Sequence, residues 1–548
     1  MARLDGLGRA KEIAQLGAAI GREFSHRLLA AVSEMTDGAL DDALGRLIGS
    51  GLVFGYGEGA TRFYRFKHAL VQDAAYEAIL LGKRRPIHHR IADAMEAELP
   101  QLVDTRPELL AHHLTEAGLS ERAIRSWLRA GESAAERSAN VEAVAHFDRG
   151  LSLLSSLEDA TLRKRLELDL QIPRAGALRA TRGFAAPETG AAFNRARELC
   201  HDLDATEALI PVLNGIYSFH LVRSDNDRAQ AAANELLEHA KKQRNETYEM
   251  IGYRAVGAVL LQTGHPAAAL ERLDASIALY DVERHKALAF RYGTDHKETA
   301  SSFVAVSQYL VGRIDDAYAT HEDAVAHSER LAHAHSIAQA LGFFGLTLSM
   351  NRDHETLAEV ADRLYDLAAT KHTFPYFAAI ASFWRARARA LASPDDGSIT
   401  AMVDAAKSWL AVGGGTYQPY LLSAIGEAHV TVRPAGGLAF LEDARARIEA
   451  TNERFSEPEL HRIEGDLRRA LGDDDEAEAC YRRAHDVAAE CGMATLQRRA
   501  AVHLAELWRE RGRRREAVEL LAPIHARFDQ GITFDDHRRA AALLTAVR

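Results

Sequence analysis

The sequence predicts a mainly α-helical protein, an α-solenoid built from a tandem repeat, behind a small amino-terminal domain of another kind. Glycine and proline are sparse, with 38 and 13 of 548 residues, which disfavours turn-rich β folds. Small and large apolar residues recur about every 40 positions over most of the chain, as stacked helix pairs require. The first hundred residues do not follow this period and therefore form a separate part.

The repeat is clearest at the carboxyl end of the chain. Five positions, Gly465, Gly472, Ala477, Tyr481 and Ala484, return 40 residues later as Ala505, Gly512, Ala517, Leu521 and Ile524. Weaker copies start at Tyr217, Gly257, Ala305 and Gly345, and two more fit near Ala386 and Ile425. Small residues let two helices approach closely, and the spacing of the later positions places them on one face of a second helix. One such pair cannot bury its apolar stripe alone, so neighbouring pairs stack.

This order of small, glycine, alanine and large residues resembles the tetratricopeptide repeat (TPR). The standard TPR unit has 34 residues, so a period of about 40 implies longer helices. HEAT repeats share the period of about 40 residues, so another α-solenoid is the alternative. We therefore expect a right-handed TPR-like α-solenoid of about ten units over residues 103–548.

Residues 1–102 predict a small winged-helix-like domain. Helical patterns cover residues 7–20, 25–34 and 37–50, and two β-prone runs at 52–54 and 62–66 flank a glycine-rich turn. Two such runs around a turn indicate a β-hairpin. Three helices followed by a hairpin is the order of a winged helix, and two further helices, about 69–81 and 84–98, lead into the solenoid.

No motif in the sequence indicates catalysis, a cofactor or a metal. Gly55-x-Gly57-x-Gly59 lies between two strands rather than before a helix, so it is a hairpin turn and not a phosphate loop. Adjacent histidines, at 88–89 and 112–113, point about 100° apart on a helix and suit packing better than metal binding. The three cysteines form no CxxC pair, which favours a reducing cytoplasm. The longest apolar run, 255–261, is too short to span a membrane.

The charge pattern disfavours nucleic acid as a partner. The net charge is −11, and the predicted third helix carries Asp37, Asp41 and Asp42, which would repel a phosphate backbone. Basic residues such as Arg62, Arg65 and the run 83–85 still surround the hairpin, so a winged-helix transcriptional regulator is one alternative.

Two stretches carry a likeness to a known family. Residues 4–24, which end in Gly21-Arg22-Glu23-Phe24, and residues 66–76, which begin Phe66-Lys67-His68-Ala69, resemble large bacterial signalling proteins. Those proteins join an adenylate/guanylate cyclase domain to a STAND-type P-loop ATPase and a TPR array. The likeness extends, more loosely, over nearly the whole chain and identifies it with the carboxyl-terminal regulatory half of that family.

The resemblance implies a regulatory function without catalysis. Neither the cyclase domain nor the nucleotide-binding part of the ATPase is found in the sequence, so the catalytic residues of the family have no positions here. We expect the concave face of the solenoid to bind a protein, peptide or small effector, and the winged helix to relay this to a separate ATPase or cyclase module. A cyclase or ATPase that has lost its catalytic domains is the remaining alternative.

One irregular spacing suggests where a partner binds. Gly257 and Ala305 are 48 residues apart, and the excess lies within residues 281–302. Insertions in solenoids form loops on one face, often the binding face. Polar and aromatic residues there, which the resemblance also covers, predict a recognition site formed by His285, Arg291, Tyr292 and Asp295. A surface site of this kind implies that Arg291 and Asp295 can be replaced together without loss of thermal stability. The alternative is a local lengthening of a helix pair, in which Tyr292 packs and His285 is solvated.

Overall fold

The computed structural model describes residues 8–58, 62–137, 139–292, 294–372, 374–530 and 533–545. The chain forms two compact units. Unit one comprises Met1–Thr181 with Arg195–Ala205, and unit two comprises Arg182–Asn194 with Thr206–Arg548. The fold is a TPR-like α-solenoid with a small antiparallel sheet near the amino terminus, which confirms the predicted fold class. The predicted domain boundary at residues 102–103 lies inside unit one and stays a prediction.

The amino-terminal elements are three helices and three short strands. In chain order they are α1 (Arg9–Ile20), β1 (Glu23–Ser25), α2 (His26–Val32), α3 (Asp37–Gly49), β2 (Val53–Tyr56) and β3 (Phe63–Phe66). The three strands pair antiparallel in the order β1-β3-β2. Phe24, Tyr64 and Phe66 lie on the inner face of the sheet, where they are buried against the helices. The sequence predicted the hairpin β2–β3 but not the three-residue strand β1.

Helices make up the rest of unit one and continue into unit two. They are α4 (Ala69–Glu77), α5 (Leu81–Glu98), α6 (Pro100–Thr105), α7 (Pro107–Glu116), α8 (Ser120–Glu136), α9 (Asn140–Ser152), α10 (Ala160–Arg182) and α11 (Pro187–Asp202). Two of the predicted packing histidines meet in the core of unit one. Nδ1 of His88 lies 2.9 Å from Nδ1 of His113, and Nε2 of His88 lies 2.9 Å from the hydroxyl of Tyr76. Burial lowers the pKa of His88 to about 4 and that of His113 to about 3.

Unit two contains eight helix pairs in succession among its described residues. The pairs are α12 (Thr206–Val222) with α13 (Asn226–Lys242), α14 (Glu246–Gln262) with α15 (Pro266–Ala278), α17 (His296–Leu310) with α18 (Ile314–Arg330), α19 (Ala334–Asn351) with α20 (His354–Tyr365), α21 (Pro375–Ala392) with α22 (Asp396–Ala411), α23 (Gln418–Ala428) with α24 (Pro434–Thr451), α25 (Glu457–Ala470) with α26 (Asp474–Glu490), and α27 (Ala494–Glu510) with α28 (Arg514–His525). Two single helices, α16 (Val282–Tyr292) and α29 (Asp535–Thr545), complete it.

The small residues of the repeat lie where the two helices of a pair touch. A Cβ atom on Gly465 of α25 would lie 2.4 Å from the ring of Tyr481 on α26, so only glycine fits there. Gly257 of α14 meets Leu273 of α15 in the same way, at 2.6 Å. The long spacing contains an additional eleven-residue helix, α16, between two pairs, and not the loop that the sequence suggested.

Pairs that are distant in sequence also contact each other within unit two. The amide of Arg454 donates to the carbonyl of Gln262 at 2.7 Å, and Nη2 of Arg499 donates to the hydroxyl of Tyr309 at 3.0 Å. These partners are 192 and 190 residues apart, about five repeats. As a result nearly every residue of α17, a first helix of its pair, is buried.

A buried network of ion pairs links the first helices of five pairs. Glu427 of α23 accepts hydrogen bonds from Arg352, Arg387 and Arg462. Arg462 of α25 also pairs with Glu459 at 3.0 Å and with Asp466. The network continues through Arg499 of α27, which pairs with Glu459 at 3.2 Å and with Asp536 of α29 at 2.5 Å. Burial alone would raise the pKa of Glu427, but the three guanidinium groups hold that pKa well below its ordinary value.

Candidate functional site

The structure places Asp295 inside a hydrogen-bonded core rather than on an open surface. Its Oδ1 accepts from the amide of Glu298 at 2.9 Å and so caps α17, and it lies 3.0 Å from Nε2 of His327. Its Oδ2 accepts from the hydroxyl of Tyr280 at 2.8 Å. Burial alone would raise the pKa of Asp295, but these hydrogen bonds lower it. Asp295 therefore supports the fold, and we expect its replacement to lower the stability of unit two.

His285 is buried on α16, close to the same core. Its Nδ1 accepts from the amide of Asp281 at 3.0 Å, its Nε2 lies 3.0 Å from the hydroxyl of Thr247, and its ring packs 5.5 Å from that of Tyr280. Burial lowers the pKa of His285. Tyr280 thus connects two of the four predicted site residues, His285 and Asp295.

The other two predicted site residues belong to α16. The helix contains Arg291 and Tyr292, but their side chains lie outside the described part of the structure, as does Gly293. A recognition site formed by His285, Arg291, Tyr292 and Asp295 stays a prediction.

A groove that the sequence did not predict lies on unit two, between α22 and α24. Its volume is about 720 Å³, within the range of ligand-binding pockets. Apolar side chains from both helices line it, including Ile399 and Val403 of α22 and Phe440 of α24. Leu471, which follows α25 and is 47% exposed, also lines it.

Both walls of the groove carry polar atoms that have no hydrogen-bond or ion-pair partner among the described residues. Asp404 and Lys407 lie on the groove face of α22, and neither side chain forms an ion pair or hydrogen bond within the described residues. On the opposite wall, His429 is almost fully buried and its Nδ1 donates to the carbonyl of Ile425 at 2.9 Å. Its Nε2 is then the unprotonated ring nitrogen in the neutral form and can accept a hydrogen bond.

A glycine-rich connection explains why the helices separate at this point. The segment Gly413-Gly414-Gly415 joins α22 to α23, and the amide of Gly415 donates to the distant carbonyl of Val222 at 3.1 Å. A Cβ atom on Gly415 would lie 2.7 Å from that carbonyl, so a larger residue would not fit. Because this connection runs towards α12, α23 packs less closely on α22 than other first helices pack on the pair before them.

A second exposed surface is the outer face of the three-stranded sheet in unit one. Phe54, Tyr56 and Phe63 are 52%, 43% and 37% exposed, and the rings of Tyr56 and Phe63 stack at 6.0 Å. The Lys67 ammonium lies 5.6 Å above the ring of Phe54, and the Arg65 guanidinium lies 5.8 Å above that of Tyr56. We call this surface the aromatic sheet face.

Carboxylates neutralise the arginines at this face. Arg65 pairs with Glu23 at 2.5 Å, and Arg62 pairs with Asp41 at 3.4 Å. These carboxylates would repel a phosphate backbone, although Lys67 has no carboxylate partner among the described residues, so this arrangement favours a protein surface as the partner.

The described residues hold no group of three or more histidine, cysteine, aspartate or glutamate side chains that could bind a metal ion. In the same part of the chain, no helix combines the length and the apolar character needed to cross a membrane.

Comparisons with known proteins give no named family. No family model matches the chain. An uncharacterised protein of Rhizobium meliloti (strain 1021) is 25% identical over 526 residues, which cover 92% of this chain and 49% of that protein. The chain thus spans about half the length of this relative.

Three solved structures resemble the fold at low sequence identity. A Rap protein complexed with competence and sporulation factor has a TM-score of 0.49 at 13% identity, over 70% of this chain and 99% of that one. A STAND protein with a tetratricopeptide repeat sensor from Pyrococcus horikoshii has a TM-score of 0.34 at 12% identity, over 73% and 63%. The Cut9–Hcn1 hetero-tetramer of APC/C has a TM-score of 0.33 at 12% identity, over 87% and 92%.

Proposed function

We propose that this chain is a cytoplasmic, non-catalytic regulatory protein that works by binding another protein. The observation that carries the proposal is the aromatic sheet face, where three aromatic side chains remain exposed on one small sheet. Exposed apolar patches of this kind mark protein-interaction sites in folded proteins. Aromatic residues also dominate the binding energy of protein interfaces.

The resemblance to cyclase–STAND ATPase–TPR proteins suggests the kind of partner. In that family the equivalent domain is joined to an ATPase, so we propose that the aromatic sheet face docks onto a separate ATPase or cyclase module. The solenoid would then sense an effector, as the sensor half of such a fusion does. The paired arginines at the sheet make a transcriptional regulator the weaker alternative.

Affinity capture with a matched variant tests this proposal. The tagged full chain should retain a partner protein from its own organism at near-stoichiometric yield, and F54S/Y56S/F63S should lose it. A control with two comparably exposed apolar residues changed elsewhere, V141S/V282S, should retain it. Thermal unfolding of both variants checks that the fold is intact. Equal capture by the triple variant and the wild type would refute the role of this face.

A further inference from the structure

We propose that the groove between α22 and α24 binds a short peptide in which a large apolar side chain stands next to an acidic one. This inference deepens the proposed function, on which it rests, by naming the class of effector that the solenoid recognises. The sequence placed the partner on the concave face, which first helices form, but α17 is covered there by distant pairs. The groove is lined instead by second helices and by the turns between helices, and it is open.

The floor of the groove accounts for the apolar part of the ligand. Ile399 and Val403 are one helical turn apart on α22, and Phe440 of α24 lines the same groove. A large apolar side chain of a peptide would cover these three residues and leave water. Burying one such side chain contributes about 1.5–3 kcal/mol, which is enough to anchor a short peptide.

The charges of the lining account for the acidic part of the ligand. Lys407 has no counter-ion among the described residues, although carboxylates pair with many other cations of the chain. Arg433 pairs with Asp396 at 2.7 Å, but both side chains are mostly exposed, so this pair exchanges partners at little cost. With Asp404 as the single acid, the lining has one more positive than negative group, which complements an acidic ligand.

His429 and the start of α24 account for recognition of a peptide backbone. Gly436 lies beside the His429 ring, and a Cβ atom there would be 3.5 Å from Nε2. Without that atom, the unpartnered Nε2 faces the groove and can accept a peptide N–H. The first turn of α24 begins with Pro434 and has no side-chain cap, so the amide of Ala435 is available to a peptide carbonyl.

The open form of the groove favours a peptide over a small molecule. Small-molecule sites usually bury 70–90% of the ligand surface, which requires a closed pocket. A groove that is open along one side leaves part of the ligand in solvent, and a peptide chain tolerates this because it enters and leaves through the open side.

Selection from a random library tests the proposal without knowledge of the natural ligand. Phage-displayed random heptapeptides are selected on the immobilised full chain, and the consensus peptide is resynthesised with a fluorescent label. We expect an aromatic or large aliphatic residue next to Asp or Glu. Fluorescence polarisation should then show binding about fivefold weaker to K407M, and more than about tenfold weaker to V403R, which fills the groove. The control K242M removes an exposed lysine of a second helix that does not line the groove, and it should bind normally.

Each other outcome overturns the proposal. No consensus, a consensus without an acidic residue, or unchanged affinity in V403R excludes this groove as an acidic-peptide site. Tighter binding of 3-phenylpropionate than of the consensus peptide would assign the groove to small carboxylates. A dimer of the wild type that V403R dissociates in sedimentation assigns it to a second copy of the chain. In all these cases the capture experiment with the sheet variants still decides the proposed function by itself.

Discussion

Replacing Arg462 with methionine should destabilise unit two more than most single substitutions would. The guanidinium is fully buried and contacts three carboxylates, Glu427 at 2.6 Å, Glu459 at 3.0 Å and Asp466. Methionine has a similar length but no charge, so the substitution leaves buried negative charges with fewer counter-ions. Removing one partner of a buried ion pair costs about 3–5 kcal/mol.

The structure places the expected cost at the lower end of that range. Each carboxylate keeps another partner: Glu427 keeps Arg352 and Arg387, Glu459 keeps Arg499, and Asp466 keeps His503 at 2.8 Å. We therefore expect a loss of about 3 kcal/mol in the free energy of unfolding. A unit of roughly 350 residues has an unfolding entropy of about 0.7 kcal/mol/K, so Tm should fall by about 4 °C.

Calorimetry of the full chain checks this value. R462K restores the charge but not the planar fork of donors, and it should fall between the wild type and R462M. The control R515M removes an arginine that is 91% exposed and pairs only with Glu519 on its own helix, and it should leave Tm unchanged. A Tm within 1 °C of the wild type for R462M would show that the network contributes nothing net.

Three further predictions concern other parts of the chain. D295A should lower the free energy of unfolding by about 2–4 kcal/mol in urea titrations, because it removes the cap of α17 and leaves Tyr280 and His327 unpaired. An unchanged urea midpoint would show that the hydrogen bonds of Asp295 do not stabilise the fold. The folded pKa values of His88 (about 4) and His113 (about 3) lie below the unfolded value of about 6.5, so the unfolded chain takes up protons first as the pH falls. Their contribution to stability is therefore complete above pH 6.5 and is lost towards pH 4. In H88Q/H113Q, the slope of the free energy of unfolding against pH should be smaller near pH 5, by up to about 3 kcal/mol per pH unit. An equal slope in the variant and the wild type would show that neither histidine titrates this way. Equilibrium dialysis of the purified chain with ATP should detect no binding, and turnover of ATP would show that the chain is an enzyme.

The helix pairs could be predicted because their signal is local. Gly465 and Tyr481 are 16 positions apart, so the contact between the two helices of this pair is encoded within a short stretch of sequence. The same pattern repeats with a period of about 40 residues, so the eight pairs of unit two could be predicted from the sequence. The hairpin β2–β3 was predictable for the same reason, since its two strands are neighbours in the chain.

Sequence reasoning was incomplete wherever partners are far apart in the chain. Strand β1 has three residues and exists because Phe24 pairs with Tyr64, 40 positions later. The long spacing near 281–302 predicts a loop, but part of this stretch forms the helix α16, which buries His285 and Ala289 and leaves most of its other described residues exposed. The groove had one signal in the sequence, the three consecutive glycines at 413–415. Such glycines indicate that another segment approaches the backbone closely, but they do not show which segment.

The sequence by itself determined the repeat, the helix pairs, and the helices and hairpin of the amino-terminal region. Only the tertiary structure decided which surfaces are buried and which are open. The carbonyl of Val222 accepts a hydrogen bond from the amide of Gly415, and the carbonyl of Gln262 accepts one from the amide of Arg454. The partners are about five repeats apart in sequence, and no periodic pattern encodes such contacts. These contacts bury the first helices of unit two, bring the charges around Arg462 together and hold α23 away from α22. Periodicity reports how a helix meets its neighbours in the chain, whereas the groove and the ion-pair network depend on how distant pairs meet in space.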